Sequence, residues 1–368
     1  MKLRVVAGSA FALLPLLSAC GSTAPTPPTS SATQSATAAS GGKVQIAETG
    51  SSLLYPLWQL WQPAYQAAHP GVQITTGSTG SGTGISDATQ GLVQIGSSDA
   101  YMSDSQAQAS PNLLNIPLAI SAQQIMYNLG SLDAGHLHLS GAVLAGIYTG
   151  KITYWDNAAI TALNPGVKLP HQAIVPVRRS DGSGDTFLFT QYLTDTAGSA
   201  WAPGYGTTVT WPNLATEVAA NGNQGVVAAL HQTPGAIGYV GISWLAPALK
   251  DNLGYAAVEN RAGQFVLPTA SAIAAAVTAL AGSTPADERV SLIDAPGATS
   301  YPIINFEYAI VSSKQPSAAL ASALRSLLTW AISPTGGSSA TYLNAVSFQP
   351  IPASVATLSA AQIQKIAG

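Results

Sequence analysis

The sequence predicts an α/β fold with two domains. Short apolar segments rich in β-branched residues alternate along the chain with Ala-rich segments of helical spacing. This alternation favours a sheet with helices on both faces. About 325 residues follow the N-terminal region, which is more than a single hydrophobic core usually holds, and this length indicates two domains.

The N-terminal region predicts export. Lys2 and Arg4 precede an apolar run over residues 5–17, which is too short for a stable membrane anchor, and small residues follow it. Leu17-Ser18-Ala19-Cys20 resembles the lipobox of bacterial lipoproteins, which implies cleavage after residue 19 and lipid attachment at Cys20. The alternative is an ordinary signal peptide with an incidental cysteine. Because the chain has no second cysteine, it cannot form an internal disulfide.

Residues 20–42 are predicted to be a disordered tether after the signal peptide of residues 1–19. Beyond Cys20 they are Ser, Thr, Ala, Pro, Gln and Gly without a charge, and such a segment cannot bury enough apolar surface to fold. A lipid anchor and this tether would hold a folded body at the outer face of a membrane. The net charge of −3, with 8% charged residues, argues against a nucleic-acid partner.

The folded body is predicted from apolar runs for the strands and helical periodicity for the helices. The predicted strands are Val44–Ala47, Val72–Thr75, Gln123–Asn128, Ala173–Val177, Ile237–Val240 and Ile303–Val311. The predicted helices are Tyr55–Ala68, Ser140–Tyr148, Thr186–Leu193, Asn223–Gln232, Ala270–Leu280 and Ser317–Ala331. Trp58 and Trp61 lie about one helical turn apart and are expected in the core.

Three turns rich in glycine and hydroxyl side chains are placed between strands and helices. They are Thr49–Leu53, Gly77–Gly84 and Arg179–Phe187. Glycine lets a backbone approach a ligand closely, and the first N–H groups of a helix have no partner within the helix and can bind an anion. Arg179 adds a planar guanidinium, which suits a tetrahedral oxyanion. Together these features predict a binding site for a small oxyanion rather than an active site.

Two further motifs resemble ligand-binding loops but depart from the patterns that those loops require. Gly146–Ile152 resembles a nucleotide phosphate loop, but its glycines are one residue too close and no Ser or Thr follows Lys151. Asp181–Asp185 resembles the start of a calcium loop, but Tyr192 stands where the closing glutamate belongs. We therefore expect no metal and no cofactor.

A longer set of motifs resembles the periplasmic phosphate-binding proteins of ABC-type phosphate transporters. In chain order the set is Glu48–Pro56, Gly80–Gly82, Gly96–Ala100, Gly150–Asp156, Leu163–Val167, Arg179–Gly184, Gly235–Tyr239 and Tyr301–Ile303. The resemblance extends over nearly the whole body, from about Val44 to Pro352.

This resemblance implies a type II periplasmic binding protein, with two α/β lobes joined by crossover strands and a ligand cleft between them. Residues 43–119 and 301–368 would form lobe I, and residues 120–300 would form lobe II. The apolar segments 120–129 and 301–311 would be the crossovers.

The resemblance also implies a phosphate site. The first turn would contribute the hydroxyl of Ser52 and the N–H of Leu53, and the second turn would contribute Ser81. Asp99 lies eighteen positions after Ser81 and matches the aspartate that accepts a hydrogen bond from a protonated phosphate oxygen. Arg179 matches the single arginine of the family site.

In the third turn, Asp181 matches the aspartate that pairs with this arginine, and Ser183 and Gly184 match donors at the start of a helix. Asp185 departs from the family pattern, because a threonine that donates a hydroxyl is often found there. An ionised carboxylate cannot donate, and it would repel a dianion. We therefore expect the side chain of Asp185 to point away or to cap local N–H groups while its own N–H still binds the ligand.

The function that follows is an extracytoplasmic, lipid-anchored, monomeric receptor that is not an enzyme. It would bind inorganic phosphate and deliver it to the permease of an ABC transporter. Asp99 argues against fully deprotonated oxyanions, because an acceptor gains a hydrogen bond only from a protonated oxygen. The alternatives are a receptor of the same fold for another oxyanion such as sulfate, molybdate or arsenate, a sensor or scavenger without a permease, and a secreted phosphatase or hydrolase that uses Ser183.

Overall fold

The structure, a computed structural model, describes residues 42–132 and 135–368. The signal peptide, Cys20 and the tether up to residue 41 lie outside the described residues. The strands are β1 Val44–Gly50, β2 Val72–Thr75, β3 Ile95–Ser98, β4 Leu113–Tyr127, β5 His138–Leu139, β6 Val175–Arg179, β7 Val218–Ala220, β8 Ala236–Gly241, β9 Gly254–Tyr255, β10 Ala257–Glu259, β11 Phe265–Val266 and β12 Ile304–Ser312. The α-helices are α1 Tyr55–Ala68, α2 Ser81–Gln90, α3 Asp104–Ala109, α4 Gly141–Tyr148, α5 Ala158–Leu163, α6 Gly184–Ala197, α7 Gly222–Gln232, α8 Leu245–Lys250, α9 Ala270–Leu280, α10 Ala318–Ile332, α11 Ala340–Leu343 and α12 Ala353–Ile363.

Each predicted strand and helix is present, and the predicted and observed elements differ only in where they begin and end. The helix α1 has the predicted bounds and carries Pro56 in its first turn, where the missing N–H costs nothing. The strand predicted at 173–177 instead covers 175–179, so that Arg179 ends the strand. The strand predicted at 123–128 corresponds only to the last part of β4, which has 15 residues and ends at Tyr127.

The large sheet is mixed, with the order β2-β1-β3-β12-β4-β8-β6-β7 and with β9 paired to β4. The strands β1, β2 and β3 are parallel to one another, and so are β6, β7 and β8. The long strands β12 and β4 run antiparallel to their neighbours and join these two parallel groups. Since β1, β2 and β6 lead into the three predicted turns, these turns come from both parallel groups.

A bulge interrupts the pairing between β4 and β12. Glu307 is opposite Ala119, whereas the next residue, Tyr308, is opposite Pro117, so one residue of β4 is skipped. A bulge accommodates the proline, which cannot donate to a ladder, and it changes the direction of nearby side chains.

The proposed division into two lobes, with boundaries at 119/120 and 300/301, stays a prediction. The first boundary falls inside β4, and the second lies shortly before β12. Within the described residues, no helix has both the length and the apolar character needed to cross a bilayer.

The helix α1 packs its aromatic face into the main core. Trp58 and Trp61 are fully buried, as predicted, and their rings meet edge to face at 5.3 Å. Tyr65 of the same helix lies 5.2 Å from Trp330 of α10. These aromatic contacts fix α1, and therefore the turn that precedes it, against the rest of the core.

The helix α2 approaches the sheet through Gly84. A Cβ atom at this position would lie 2.9 Å from the Cα of Gly50 and 2.9 Å from the carbonyl oxygen of Thr49. Since no side chain fits there, the helix lies directly against the backbone of the first turn.

We predict that Gly84→Ala destabilises the protein, because the added methyl group must displace backbone. The expected loss is about 1–3 kcal/mol, the usual cost of overpacking, in the free energy of unfolding measured with urea. Gly225→Ala in α7 is the matched control, because its Cβ would have no neighbour closer than 3.7 Å. It should be neutral or stabilising by up to about 1 kcal/mol, and equal effects of the two substitutions would contradict this packing.

Candidate anion-binding site

The three turns follow β1, β2 and β6 and meet beside the carboxyl end of β3, with backbone packed against backbone. The N–H of Gly82 donates to the carbonyl oxygen of Gly182 over 2.9 Å and so joins the second turn to the third. A Cβ on Gly184 would collide with the carboxylate of Asp99 and the hydroxyl of Ser81. These glycines are therefore needed for the close approach of one turn to another, and the predicted site residues come together in one place.

Asp99 follows β3 and is 2% exposed. Its Oδ1 accepts a hydrogen bond from the hydroxyl of Ser51, and its Oδ2 accepts one from the hydroxyl of Ser81 over 3.2 Å. The backbone N–H of Asp99 in turn donates to Ser81 Oγ over 3.1 Å. Two hydroxyl groups therefore orient the carboxylate and leave acceptor capacity, because an ionised carboxylate can accept about four hydrogen bonds.

Arg179, the last residue of β6, is 3% exposed and is held by two carboxylates. Its Nε donates to Asp181 over 2.7 Å, and its Nη2 also bonds to Asp181. Its Nη1 donates to Asp185 Oδ2 over 2.7 Å. Behind the side chain, the backbone N–H of Arg179 donates to the hydroxyl of Tyr239 over 3.0 Å. The predicted pairing of Arg179 with Asp181 is present in this geometry.

The expectation that the side chain of Asp185 points away from the site or caps local N–H groups is wrong. The residue is fully buried, and its carboxylate accepts hydrogen bonds from Arg179, from Asn223 Nδ2 over 2.7 Å and from Gln123 Nε2 over 3.1 Å. The carboxylate can stay buried because its hydrogen bonds to the guanidinium and the two amides offset the cost of removing it from water.

The first turn is closed by Asn223, which the sequence analysis did not single out. Ser52 Oγ accepts hydrogen bonds from both the backbone N–H and the side-chain amide of Asn223, each over 3.0 Å. The N–H of Leu53, which the prediction assigned to the ligand, donates to Ser51 Oγ over 3.1 Å. Asn223 thus connects the first turn to Asp185. A signal for it was available, since it is a polar residue in the first turn of α7, directly after Gly222.

Ser183 caps the helix α6. Its hydroxyl oxygen accepts a hydrogen bond from the N–H of Thr186 over 3.3 Å, and its own N–H donates to Thr207 O. The helix therefore begins at Gly184, with the first N–H groups of α6 lacking partners within the helix. The positive end of this helix lies beside Arg179 and Asp99, which favours an anion there.

The carboxyl groups of the site have different pKa values because their surroundings differ. Burial raises the pKa of Asp181, but the hydrogen bonds and charge of Arg179 outweigh it, and the pKa falls below its usual value. Burial and the nearby charge of Asp99 raise the pKa of Asp185 to about 7. Burial also raises the pKa of Asp99, against the opposing effects of Ser51, Glu307, Arg179 and Ser81.

The arrangement can bind an anion and, at the same time, accept a hydrogen bond from a protonated oxygen of that anion. Hydroxyl groups, helix N–H groups and one guanidinium donate, while Asp99 accepts, all in a buried setting where hydrogen bonds are strong. In the part of the chain that the structure describes, no three His, Cys, Asp or Glu side chains are grouped as a metal ion would require.

The comparisons with known proteins give the class first. A family model described as the PBP superfamily domain matches residues 29–335. The solved phosphate-binding protein from Stenotrophomonas maltophilia superposes with a TM-score of 0.69, at 21% identity, over 87% of this chain and 94% of that one. A periplasmic phosphate-binding protein solved with phosphate, PfluDING, superposes with a TM-score of 0.67, at 23% identity, over 86% and 92%. The fold is that of a type II periplasmic binding protein.

The curated relatives then give the family. The phosphate-binding protein PstS of Methanocaldococcus jannaschii is 37% identical over 309 residues, which cover 78% of this chain and 78% of the relative. PstS of Xylella fastidiosa is 36% identical over 307 residues, covering 83% and 80%. The chain belongs to the PstS family of the PBP superfamily.

Glu48 on β1 gives a prediction on stability. Burial raises the pKa of Glu48 from 4.5 to about 8, and neither carboxylate oxygen has a hydrogen-bond partner among the described residues. The folded state then binds a proton more tightly than the unfolded state, so the free energy of unfolding falls as the pH rises between these values. Glu48→Gln should lose less stability than wild type between pH 5 and pH 8, by at least about 1 kcal/mol, in urea unfolding at each pH.

The control for this experiment is Asp251→Asn, which removes an exposed carboxylate and should keep the pH dependence of wild type. If Glu48→Gln and wild type lost equal stability over this pH range, Glu48 would not be a proton-binding group of the folded state.

Proposed function

We propose that this protein is an extracytoplasmic receptor that binds inorganic phosphate at the junction of the three turns. The observation that carries the proposal is the buried carboxylate of Asp99, placed among anion-binding groups and oriented by Ser51 and Ser81. The names of its relatives, phosphate-binding proteins, support the same ligand.

A buried acceptor among donors favours phosphate over sulfate. Phosphate near neutral pH carries at least one proton, which can be donated to Asp99, whereas sulfate presents only lone pairs to it. A charge-assisted hydrogen bond contributes about 1.5–3 kcal/mol, and a buried acceptor that faces lone pairs costs a similar amount. Because about 1.4 kcal/mol corresponds to a factor of ten, Asp99 can provide discrimination of several orders of magnitude.

The positive charge of Arg179 is already shared by Asp181 and Asp185. The negative charge of phosphate must therefore be stabilised largely by neutral dipoles. The proposed donors are Ser52, Leu53, Ser81, Ser183, Gly184 and the N–H of Asp185, with Asp181 as a supporting group. The glycine and serine content of the turns fits this requirement, since successive backbone N–H groups form anion-binding concavities.

The cellular role extends this proposal. The motif at Cys20 supports a lipid anchor at the outer face of a membrane, and the tether of residues 20–42 would give the body reach. Closure of the two proposed lobes around the ion would exclude water, and the closed surface would present phosphate to the permease of an ABC transporter.

Catalysis by Ser183 is less well supported than binding. The Ser183 hydroxyl accepts the N–H of Thr186 as a helix cap, and none of the hydrogen bonds made by the described residues joins it to a histidine. A serine nucleophile needs a base within hydrogen-bonding reach. The capping role therefore supports a receptor over a hydrolase.

We predict that Asp99→Asn reduces the preference for phosphate over sulfate. The amide donates as well as accepts, so it removes the penalty against sulfate and weakens the bond to the phosphate proton. The ratio of the sulfate to the phosphate dissociation constant should fall by at least about 100-fold, measured by calorimetric titration of each ion at pH 7. Asp87→Asn is a control outside the site, and an unchanged ratio in Asp99→Asn would exclude Asp99 as the selective group.

We predict that Asp185→Thr binds phosphate more tightly than wild type at pH 8. Burial and Asp99 raise the pKa of Asp185 to about 7, so at pH 8 it adds a negative charge beside the ligand and occupies Nη1 of Arg179. Threonine removes that charge and restores a hydroxyl donor, and the gain should be about tenfold. The advantage should shrink at pH 6, where Asp185 is largely protonated. Weaker binding at pH 8 in a folded variant would show that the carboxylate assists the ligand.

A further inference from the structure

The hydroxyl oxygen of Ser52, in the first turn, accepts two hydrogen bonds from a single residue. The backbone N–H and the side-chain amide of Asn223 both donate to Ser52 Oγ, each over 3.0 Å, and both residues are buried. A hydroxyl group has two lone pairs and one proton. Because Asn223 occupies both lone pairs, the proton of Ser52 has to be donated to another group.

The side-chain amide of Asn223 is fixed in the orientation that donates to Ser52. Its Oδ1 accepts the N–H of Gly241 over 2.8 Å, so the amide cannot be reversed without losing this bond. The two protons of its Nδ2 are directed to Ser52 Oγ and to Asp185 Oδ2, the latter over 2.7 Å. The side chain therefore presents only a donor to Ser52.

The start of the helix α7 explains the bond from the backbone of Asn223. Asn223 is the second residue of α7, and the N–H groups of a first helical turn have no partner within the helix. Asn221, which precedes the helix, makes no side-chain cap. Ser52 accepts the N–H of Asn223 instead, and Asp181 accepts the N–H of Gly222. Since a backbone N–H can only donate, this contact also keeps Ser52 an acceptor on the side of α7.

The neighbouring residue Ser51 has the same pattern of bonds and shows where such a proton goes. Its Oγ accepts the N–H groups of Leu53 and Leu54, over 3.1 and 2.8 Å, and its proton is donated to the carboxylate of Asp99. Ser52 likewise accepts two bonds, but none of the hydrogen bonds made by the described residues has its hydroxyl group as the donor. Its proton is therefore available to a ligand oxygen.

We propose that Asn223 is a positioning residue that makes Ser52 an obligatory donor, so that the ligand oxygen facing Ser52 must be unprotonated. This inference rests on the proposed phosphate-binding function. Asn223 also bonds to Asp185, whose carboxylate bonds to Arg179, so Ser52 lies on the side of the site that holds the cation. Asp99 accepts from a protonated oxygen and Ser52 donates to an unprotonated one, and together they set where the bound ion carries its proton.

The first test is a double-mutant cycle of Ser52→Ala and Asn223→Asp, with the dissociation constant for phosphate measured by calorimetric titration at pH 7. In Asn223→Asp an acceptor oxygen replaces Nδ2 and takes the proton of Ser52, so the ligand loses that donor. The substitution should therefore raise the dissociation constant at least about 10-fold more in the wild-type background than in Ser52→Ala.

The cycle isolates the effect that passes through Ser52. The new carboxyl group acts on Asp185 and on the ligand in both backgrounds, and these effects cancel in the comparison. If Asn223→Asp raised the dissociation constant by the same factor in both backgrounds, the proposal would be overturned, because Asn223 would then not act through the Ser52 hydroxyl group.

Ser52→Thr is the conservative variant. It keeps the hydroxyl group, and it should bind phosphate within about 3-fold of wild type, whereas Ser52→Ala should bind at least about 10-fold more weakly. Equal losses in Ser52→Thr and Ser52→Ala would overturn the role assigned to the hydroxyl group.

Asn164→Asp is the matched control, since it makes the same substitution at another buried asparagine. The side chain of Asn164 bonds only to backbone groups of His138 and Ile160, none of which belongs to the three turns. Its effect on the dissociation constant should be the same, and close to none, with and without Ser52→Ala. Coupling as large as that of Asn223→Asp would overturn the specific role of Asn223.

The second test needs no variant and is a crystal structure of the wild-type protein with phosphate. A phosphate oxygen should lie about 2.5–3.0 Å from Ser52 Oγ, with both contacts between Ser52 and Asn223 retained. Phosphate bound with no oxygen within about 3.5 Å of Ser52 Oγ would overturn the inference and leave the proposed function intact. Wild type that binds no phosphate in solution would overturn the proposed function, and the role of Asn223 with it.

Discussion

The guanidinium of Arg179 is enclosed by the carboxylates of Asp181 and Asp185, and the arrangement of the site depends on this buried ion pair. Asp181 also accepts the N–H of Gly222 at the start of α7, so the same carboxylate fixes a neighbouring turn. Removal of one partner from such a buried pair leaves an unpaired charge and typically costs several kcal/mol. The third turn is therefore held in place by charge, and its cation is largely compensated before any ligand is bound.

That compensation determines how the rest of the site works. If Arg179 has little free charge to offer, an incoming anion must be held by hydroxyl and backbone dipoles, which requires turns that approach one another without side chains. The glycines at 82, 182 and 184 meet this requirement. In the proposed function, selectivity then depends on a single acceptor, Asp99, whose ionised state is supported by the hydroxyl groups of Ser51 and Ser81.

The sequence predicted the elements whose signals are local. Pro56 near the start of α1 and the helical spacing of Trp58 and Trp61 predict this helix. It did not predict α2, because a segment with two glycines and several hydroxyl residues has low helix propensity and is held by packing of Gly84 against the first turn.

The sequence likewise predicted only part of the candidate site. Motifs in the sequence singled out Asp99, Arg179 and Asp181, but the orientation of Asp185 depends on Gln123 and Asn223, which are distant in sequence.

The most direct test of the proposed site is a calorimetric titration of the purified protein, stripped of bound ligand, with phosphate and then with sulfate at pH 7. We expect micromolar or tighter binding of phosphate and no detectable heat from sulfate. Sulfate binding as tight as that of phosphate would contradict the selective role of Asp99 and the site built around it.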